Sequence, residues 1–141
     1  MPTRKGSATW EGGLKGGKGS FKAESGIAGA YSFGSRFESA KASNPEELLA
    51  AALAACYSMA LSGGLEKNGT PPTRVDTTVS CTIDKVGDGF KITKMHLAVR
   101  GKAPNVDAAT FDKLAQATKD GCPVSQVFKG NVEMTVEAKL E

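Results

Sequence analysis

The chain has 141 residues, 40% hydrophobic and 23% charged, which suits one domain over 1–141 with a real core. Its formal net charge of +3 is mild and argues against a nucleic-acid partner, which calls for a strongly basic face. The three cysteines, Cys56, Cys81 and Cys122, include no CxxC, and His96 is the single histidine, so neither a secreted disulfide framework nor a zinc or other metal site is indicated. The opening residues, MPTRKGSATWEGG, lack the apolar stretch of a secretory signal. The uncharged apolar run at 48–61 is 14 residues long, short of the ~20 that span a bilayer. A cytoplasmic protein with no membrane partner is expected.

Residues 3–39 are rich in Gly, Ser and Lys. Residues 7–11 and 20–23 are predicted to be strands joined by a turn over 12–19, and 26–39 adds an extended segment with Tyr31, Phe33 and Phe37 alternating. Together they form a small antiparallel meander. Gly12-x4-Gly17-Lys18 begins like a phosphate loop. Gly19 follows where Ser or Thr should hold magnesium, and a strand follows where a helix should, so a hairpin turn is the better reading.

The stretch NPEELLAAALAACYSMAL at 44–61 opens the main helix. Asn44 can cap it, Pro45 fits the first helical position, and Glu46 and Glu47 complement the dipole. It should stop near Asn68-Gly69, giving roughly 23 residues and about 34 Å. With no polar stripe from Leu48 to Leu61, burial on nearly all sides is predicted. Its many alanines would let another backbone approach closely, and a partner subunit would complete the burial.

Residues 75–86 are strongly β, with Val75, Thr77, Val79, Cys81 and Ile83 on one face. Residues 90–100 return as a second strand. Its apolar phase shifts from Phe90 and Ile92 to Met95, Leu97 and Val99, which predicts a bulge or strong twist. His96 falls on the polar face, as a solvated histidine, and Cys81 on the apolar one, as a core thiol. Asp107 caps a helix with Phe111, Leu114 and Ala115 inward, ending at Lys119-Asp120-Gly121. Cys122-Pro123 opens a short further helix. A half-buried strand, with Val132, Met134, Val136, Ala138 and Leu140 alternating, ends the chain. The order βββ-α-ββ-α-α-β indicates an α+β fold with a long central helix.

Cys56 lies in mid-helix, beyond reach of the dipole, and burial alone would raise its pKa. An arginine or lysine from elsewhere must stabilise any thiolate there. Cys122 stands at a helix start, where a thiolate is favoured. On these grounds alone Cys56 is either a packed core thiol or a nucleophile.

GSRFE at 34–38, NPEELLAAALAAC at 44–56, YSMAL at 57–61 and GCPVSQV at 121–127 resemble the OsmC/Ohr family of organic hydroperoxide resistance proteins, in its osmotically induced OsmC branch. The likeness extends through WEG near the start, DTT at 76–78, FKITK at 90–94 and TFDK at 110–113, and so covers essentially the whole chain. It implies an intertwined homodimer with paired long helices, active sites at the subunit interface, and a thiol-dependent peroxidase activity. Carried over by motif, Cys56 takes the place of the peroxidatic cysteine and Cys122 that of the resolving cysteine. Arg36 matches the catalytic arginine and Glu46 the glutamate that orients it, through a bidentate contact. Cys81 has no counterpart. Organic hydroperoxides are the implied substrates, with Leu49, Leu53, Tyr57, Phe33 and Phe37 as candidate lining of an apolar pocket. The implied reductant is an external dithiol of lipoyl type, with thioredoxin as an alternative, and no cofactor is indicated.

A guanidinium keeps its proton at any physiological pH, so Arg36 can hold a buried Cys56 as thiolate. Glu46 and Cys56 are ten residues apart on one helix, about 15 Å along its axis. Glu46 and Arg36 are therefore expected to serve the partner subunit's cysteine. The competing expectations are a redox-sensing or small-ligand-binding stress protein without turnover, and a structural stress protein that uses only the dimer core.

Overall fold

The computed structural model describes residues 1–141, which form two compact units, Met1–Leu48 and Leu49–Glu141. In the first unit β1 (Gly6–Glu11), β2 (Lys18–Ala23) and β3 (Ala28–Tyr31) pair antiparallel in chain order. The β1–β2 connection is a hairpin, with Glu11 opposite Lys18. The Gly17 N–H and the Trp10 indole N–H both donate to the Gly13 carbonyl, at 2.9 and 3.2 Å. Gly19 faces the rings of Trp10 and Tyr31 so closely that a Cβ there would lie 2.6 Å from Tyr31. No side chain fits under that aromatic pair, whose centroids are 5.5 Å apart.

The expectation of an extended segment through residue 39 holds only as far as Tyr31. Phe33–Phe37 is a short helix, α1. Its cause is local: the Ser32 hydroxyl accepts from the Ser35 N–H and the Ser35 hydroxyl accepts from the Ser32 N–H, a reciprocal cap. The helical turn stacks Phe33 on Phe37, with centroids 5.0 Å apart. In the sequence, odd-numbered aromatics satisfy both periods.

Helix α2 (Pro45–Lys67) begins at the end of the first unit and continues into the second. The Asn44 side chain accepts from the Glu47 N–H at 2.8 Å and caps it. At the other end Gly69 takes φ +80°, and the N–H groups of Gly69 and Thr70 close on Glu66 and Leu65.

Within the single chain, α2 is buried along one side. Leu53, Tyr57, Leu61 and Leu65 form a buried stripe at four-residue spacing. Leu48, Ala51, Ala52, Ala55 and Met59 are exposed, Met59 at 76%. One chain supplies a covering layer for one side only. Over its full length α2 is long and apolar enough to cross a bilayer, by length and composition, and only 22% of its most apolar stretch is buried within the chain.

The second unit also contains β4 (Arg74–Val86), β5 (Gly89–Lys102), α3 (Ala108–Gly121), α4 (Pro123–Phe128) and β6 (Glu133–Leu140). β4 and β5 are antiparallel, and the expected bulge is present. Thr82 pairs with Lys94 but Ile83 with Ile92, which leaves Thr93 as the extra residue. β6 lies parallel to β5, reached through α3 and α4, the crossover a parallel pair requires. Asp107 caps α3 through the Thr110 N–H at 2.7 Å. The inner face of β5 gives Met95, Leu97 and Val99 to a core shared with the α2 stripe, Phe111, Ala115, Cys122 and Phe128. Cys81 pairs in register with Met95 and packs, partly buried, against that core, while on the opposite face of the sheet His96 meets the Thr135 hydroxyl at 2.6 Å. The architecture is α+β, as the element order predicts.

Gly101 on β5 makes room for the buried Phe111, because a Cβ there would lie 2.5 Å from the ring. Gly101→Ala should therefore destabilise the second unit by about 1–3 kcal/mol through overpacking, read as a lower urea midpoint with unchanged slope.

Candidate active site

In the first unit, α1 presents Arg36. The helix is held on its own cap, and it is tied to the start of α2 by two further bonds. The Ser35 hydroxyl donates to the Ser43 carbonyl at 2.8 Å, and the Asn44 amide donates to the Ser35 carbonyl at 3.1 Å. This fixes the reach from Arg36 to Glu46. Arg36 Nε and Nη2 both donate to one oxygen, Glu46 Oε1, at 2.9 and 2.7 Å. The expected two-oxygen contact is not formed. Glu46 Oε2 is buried and has no hydrogen-bond partner. The guanidinium also lies over the Phe37 ring, 5.1 Å from its centroid.

Beside Arg36 is an apolar cavity of about 210 Å³, lined by Trp10, Leu14, Tyr31, Phe33 and Phe37. Two of these, Phe33 and Phe37, are expected lining residues. The other three expected lining residues, Leu49, Leu53 and Tyr57, belong to the second unit, where Leu53 and Tyr57 are fully buried core and Leu49 packs against it, partly buried. Trp10, Leu14 and Tyr31 are additions. Their signal in the sequence is weak, because strand and turn aromatics carry no label for the side they face until the hairpin register is known.

In the second unit, Cys56 on α2 and Cys122 at the α3–α4 junction stand with their sulfurs 2.9 Å apart, as free thiols in hydrogen-bond contact. Cys122 is fully buried, while Cys56 is partly exposed. Their electrostatics differ in sign. Burial pushes the Cys56 thiol up, and its contact with Cys122 adds to the rise, opposed only by the Val124 N–H. Burial acts upward on Cys122 too, but contacts from Cys56, Ser125 and Val124 outweigh it and leave that thiol below its ordinary value. The ordering is the one foreseen from a mid-helix cysteine and a helix-start cysteine.

The four candidate residues thus form two contacts, Arg36–Glu46 in one unit and Cys56–Cys122 in the other. Two cysteines in sulfur contact can form a disulfide, and a half-exposed arginine held by a buried carboxylate is a fixed cation. Comparison with known proteins places these residues in context. The model of the OsmC-like protein family matches residues 38–137. The chain is 49% identical over 138 residues to the protein named peroxiredoxin OsmC of Escherichia coli (strain K12), with 96% of each covered. It is 34% identical over 98 residues to organic hydroperoxide resistance protein OhrA of Bacillus subtilis (strain 168), covering 69% of this chain and 67% of that one. Among solved structures, the organic hydroperoxide resistance protein OhrB of Bacillus subtilis superposes with a TM-score of 0.69 at 25% identity, over 96% of this chain and 98% of that one. The OsmC-like protein from Mycoplasma pneumoniae gives 0.76 at 14% identity, over 99% and 97%, and so shares the fold. With its fold, its cysteine-bearing helix and most of its length accounted for in this way, the chain belongs to the OsmC-like protein family.

Proposed function

We propose that the protein is a thiol peroxidase that reduces organic hydroperoxides to alcohols, with Cys56 as the attacking sulfur and Cys122 as the resolving one. The observation that carries this reading is the 2.9 Å contact between two free thiols, one reachable from solvent and one not. Acidity alone would favour Cys122 as nucleophile, but a peroxide cannot reach a sulfur with 0% exposure. Access selects Cys56, and Cys56 then needs a cation to overcome its raised pKa.

Arg36 is the residue suited to that task. Glu46 already aims its guanidinium, and the apolar cavity beside it would take the organic part of the peroxide. The ten-residue spacing of Glu46 and Cys56 along α2 supports pairing the arginine of one subunit with the cysteines of another. The exposed stripe of Leu48, Ala52, Ala55 and Met59 offers the surface for such a homodimer, since small side chains allow helices to approach closely.

In the cycle, the Cys56 thiolate attacks the outer peroxide oxygen and the O–O bond breaks. The sulfur becomes a sulfenic acid and the alkoxide leaves as alcohol, with Arg36 stabilising the developing charge. The Cys122 thiol condenses with the sulfenic acid, releasing water and forming the disulfide. An external dithiol returns both thiols and is itself oxidised to a disulfide.

Wild-type protein with a small dithiol should consume cumene hydroperoxide over many turnovers, and Cys56→Ser should abolish consumption. Cys122→Ser should stop at a Cys56 sulfenic acid, trapped by a dimedone-type reagent. Retained turnover in Cys56→Ser would sink the mechanism. One disulfide per chain without further turnover would instead identify a redox sensor.

The shared site is tested by co-expressing Arg36→Ala with Cys56→Ser. If Arg36 serves the partner's cysteine, a mixed dimer regains one intact site, and random pairing restores about a quarter of wild-type sites. If each chain builds its own site, mixing restores none.

A further inference from the structure

Cys122 has two duties in the backbone. It ends α3, donating its N–H to the Thr118 carbonyl at 3.0 Å, and it is the N-cap of α4. Ser125 stands three residues later, the spacing of a reciprocal cap. At the start of α1 the same spacing, Ser32 and Ser35, closes fully: each side chain accepts from the other's N–H, at 3.0 and 2.8 Å. In α4 it cannot close in both directions. The N–H that Ser125 would accept is already committed to Thr118, and the Cys122 side chain makes no cap hydrogen bond.

The consequence is an orphaned hydroxyl. Ser125 is 0% exposed, and its Oγ has no hydrogen-bond partner. A hydroxyl sealed from water in that state is costly. Ser125 and Val124 stand in the first turn of α4, directly after its N-cap Cys122, and the Ser125 hydroxyl and both N–H groups act in favour of a Cys122 thiolate. The remaining titratable neighbours are Cys56, at 2.9 Å, and Tyr57, whose burial holds its phenol protonated.

We propose that Ser125 is a positioning residue for the reductive half of the cycle, its hydroxyl donating to Cys122 Sγ when that sulfur leaves as a thiolate. The proposal rests on the peroxidase reading and assigns a direction to its last step. With both thiols free, Cys122 is the sealed sulfur and Cys56 the accessible one, and a disulfide between them on the same helices keeps that order. A thiolate of the external dithiol therefore attacks Cys56 Sγ. The Cys56–Cys122 bond breaks, a mixed disulfide forms on Cys56, and the electron pair goes to Cys122 Sγ. The second thiol of the reductant attacks the reductant's own sulfur in the mixed disulfide. This frees Cys56 and leaves the oxidised dithiol, whose two protons go to the two enzyme sulfurs. Thiol–disulfide exchange is faster when the leaving thiol has a lower pKa, so a donor at Cys122 speeds this step and not the attack on peroxide.

The test compares Ser125→Ala, Ser125→Thr and wild type. In a Cys56→Ser/Cys81→Ser background, which leaves Cys122 as the single thiol, its titration is followed by ultraviolet thiolate absorbance. Ser125→Ala should raise that titration by about one unit, about tenfold less thiolate at neutral pH. It should also slow reduction of the diamide-formed disulfide by dithiothreitol severalfold. The single-turnover rate of Cys56 with cumene hydroperoxide should not change, and Ser125→Thr should stay near wild type in all three. An unmoved Cys122 titration in Ser125→Ala, or a peroxide step slowed as much as reduction, overturns the inference. Neither the titration nor the diamide experiment uses peroxide. Absence of wild-type turnover would therefore count against the peroxidase reading and not against the role of Ser125.

Discussion

The hydrogen bond from the Tyr57 hydroxyl to the Ala115 carbonyl, at 2.7 Å in the core, is the contact on which the cysteine geometry depends. Tyr57 is fully buried among Leu53, Leu61 and Leu65 on α2, and Ala115 is fully buried on α3. Burial holds the phenol in its protonated form, so it stays a donor. The bond ties α3 to α2, and α3 runs directly into its C-cap Cys122. Cys56 is the residue before Tyr57. A phenol that had to find its acceptor elsewhere would leave a buried polar group unpaired, at about 1–3 kcal/mol. The two sulfurs are thus brought into hydrogen-bond contact by packing and this polar tie, with no covalent bond between them.

That contact places two thiols of opposite tendency side by side. The acidic one is sealed in, and the accessible one is raised. Such a pair is poorly reactive by itself, because the sulfur that could be a thiolate cannot meet a substrate. In the proposed cycle, a fixed cation brought next to Cys56 would reverse the order for attack on peroxide and would leave Cys122 as the better leaving group for reduction. The two half-reactions ask for opposite acidities, and two neighbouring environments meet both demands better than one could.

Much of this was legible in the sequence. The bounds of α2 follow from Asn44, Pro45 and Asn68-Gly69, each acting within one turn of its own position. The bulge in β5 follows from a phase change between Ile92 and Met95. Cys122 at a helix start follows from Gly121-Cys122-Pro123. What escaped detection depends on partners distant in the chain or on competition for one group. The α1 helix was hidden because Tyr31, Phe33 and Phe37 fit a strand alternation as well as a helical turn, and a serine pair decided between them. Lining by Trp10 and Leu14 needed the hairpin register. The one-oxygen contact between Arg36 and Glu46 depends on how far α1 is tied back by Ser35 and Asn44. The stranded Ser125 hydroxyl depends on which acceptor the Cys122 N–H has already taken.

The apolar character of α2 all the way round reflects two separate demands on one helix. A surface helix of a monomer has a polar side. Here the side opposite the core holds Leu48, Ala52, Ala55 and Met59, at the spacing of a helix-packing seam. Centred on Tyr57, the buried stripe faces one way and the Ala55–Met59 stripe nearly the other. Cys56 is about 100° round from Tyr57, on the border between them. A cysteine at the centre of the buried stripe would be sealed like Cys122, and one at the centre of the exposed stripe could not reach Cys122 at all. The border is where a sulfur on α2 can meet both Cys122 and a group brought by whatever packs on the exposed stripe. Cys56, one residue from Tyr57, lies on that border, where the proposed shared site would need it.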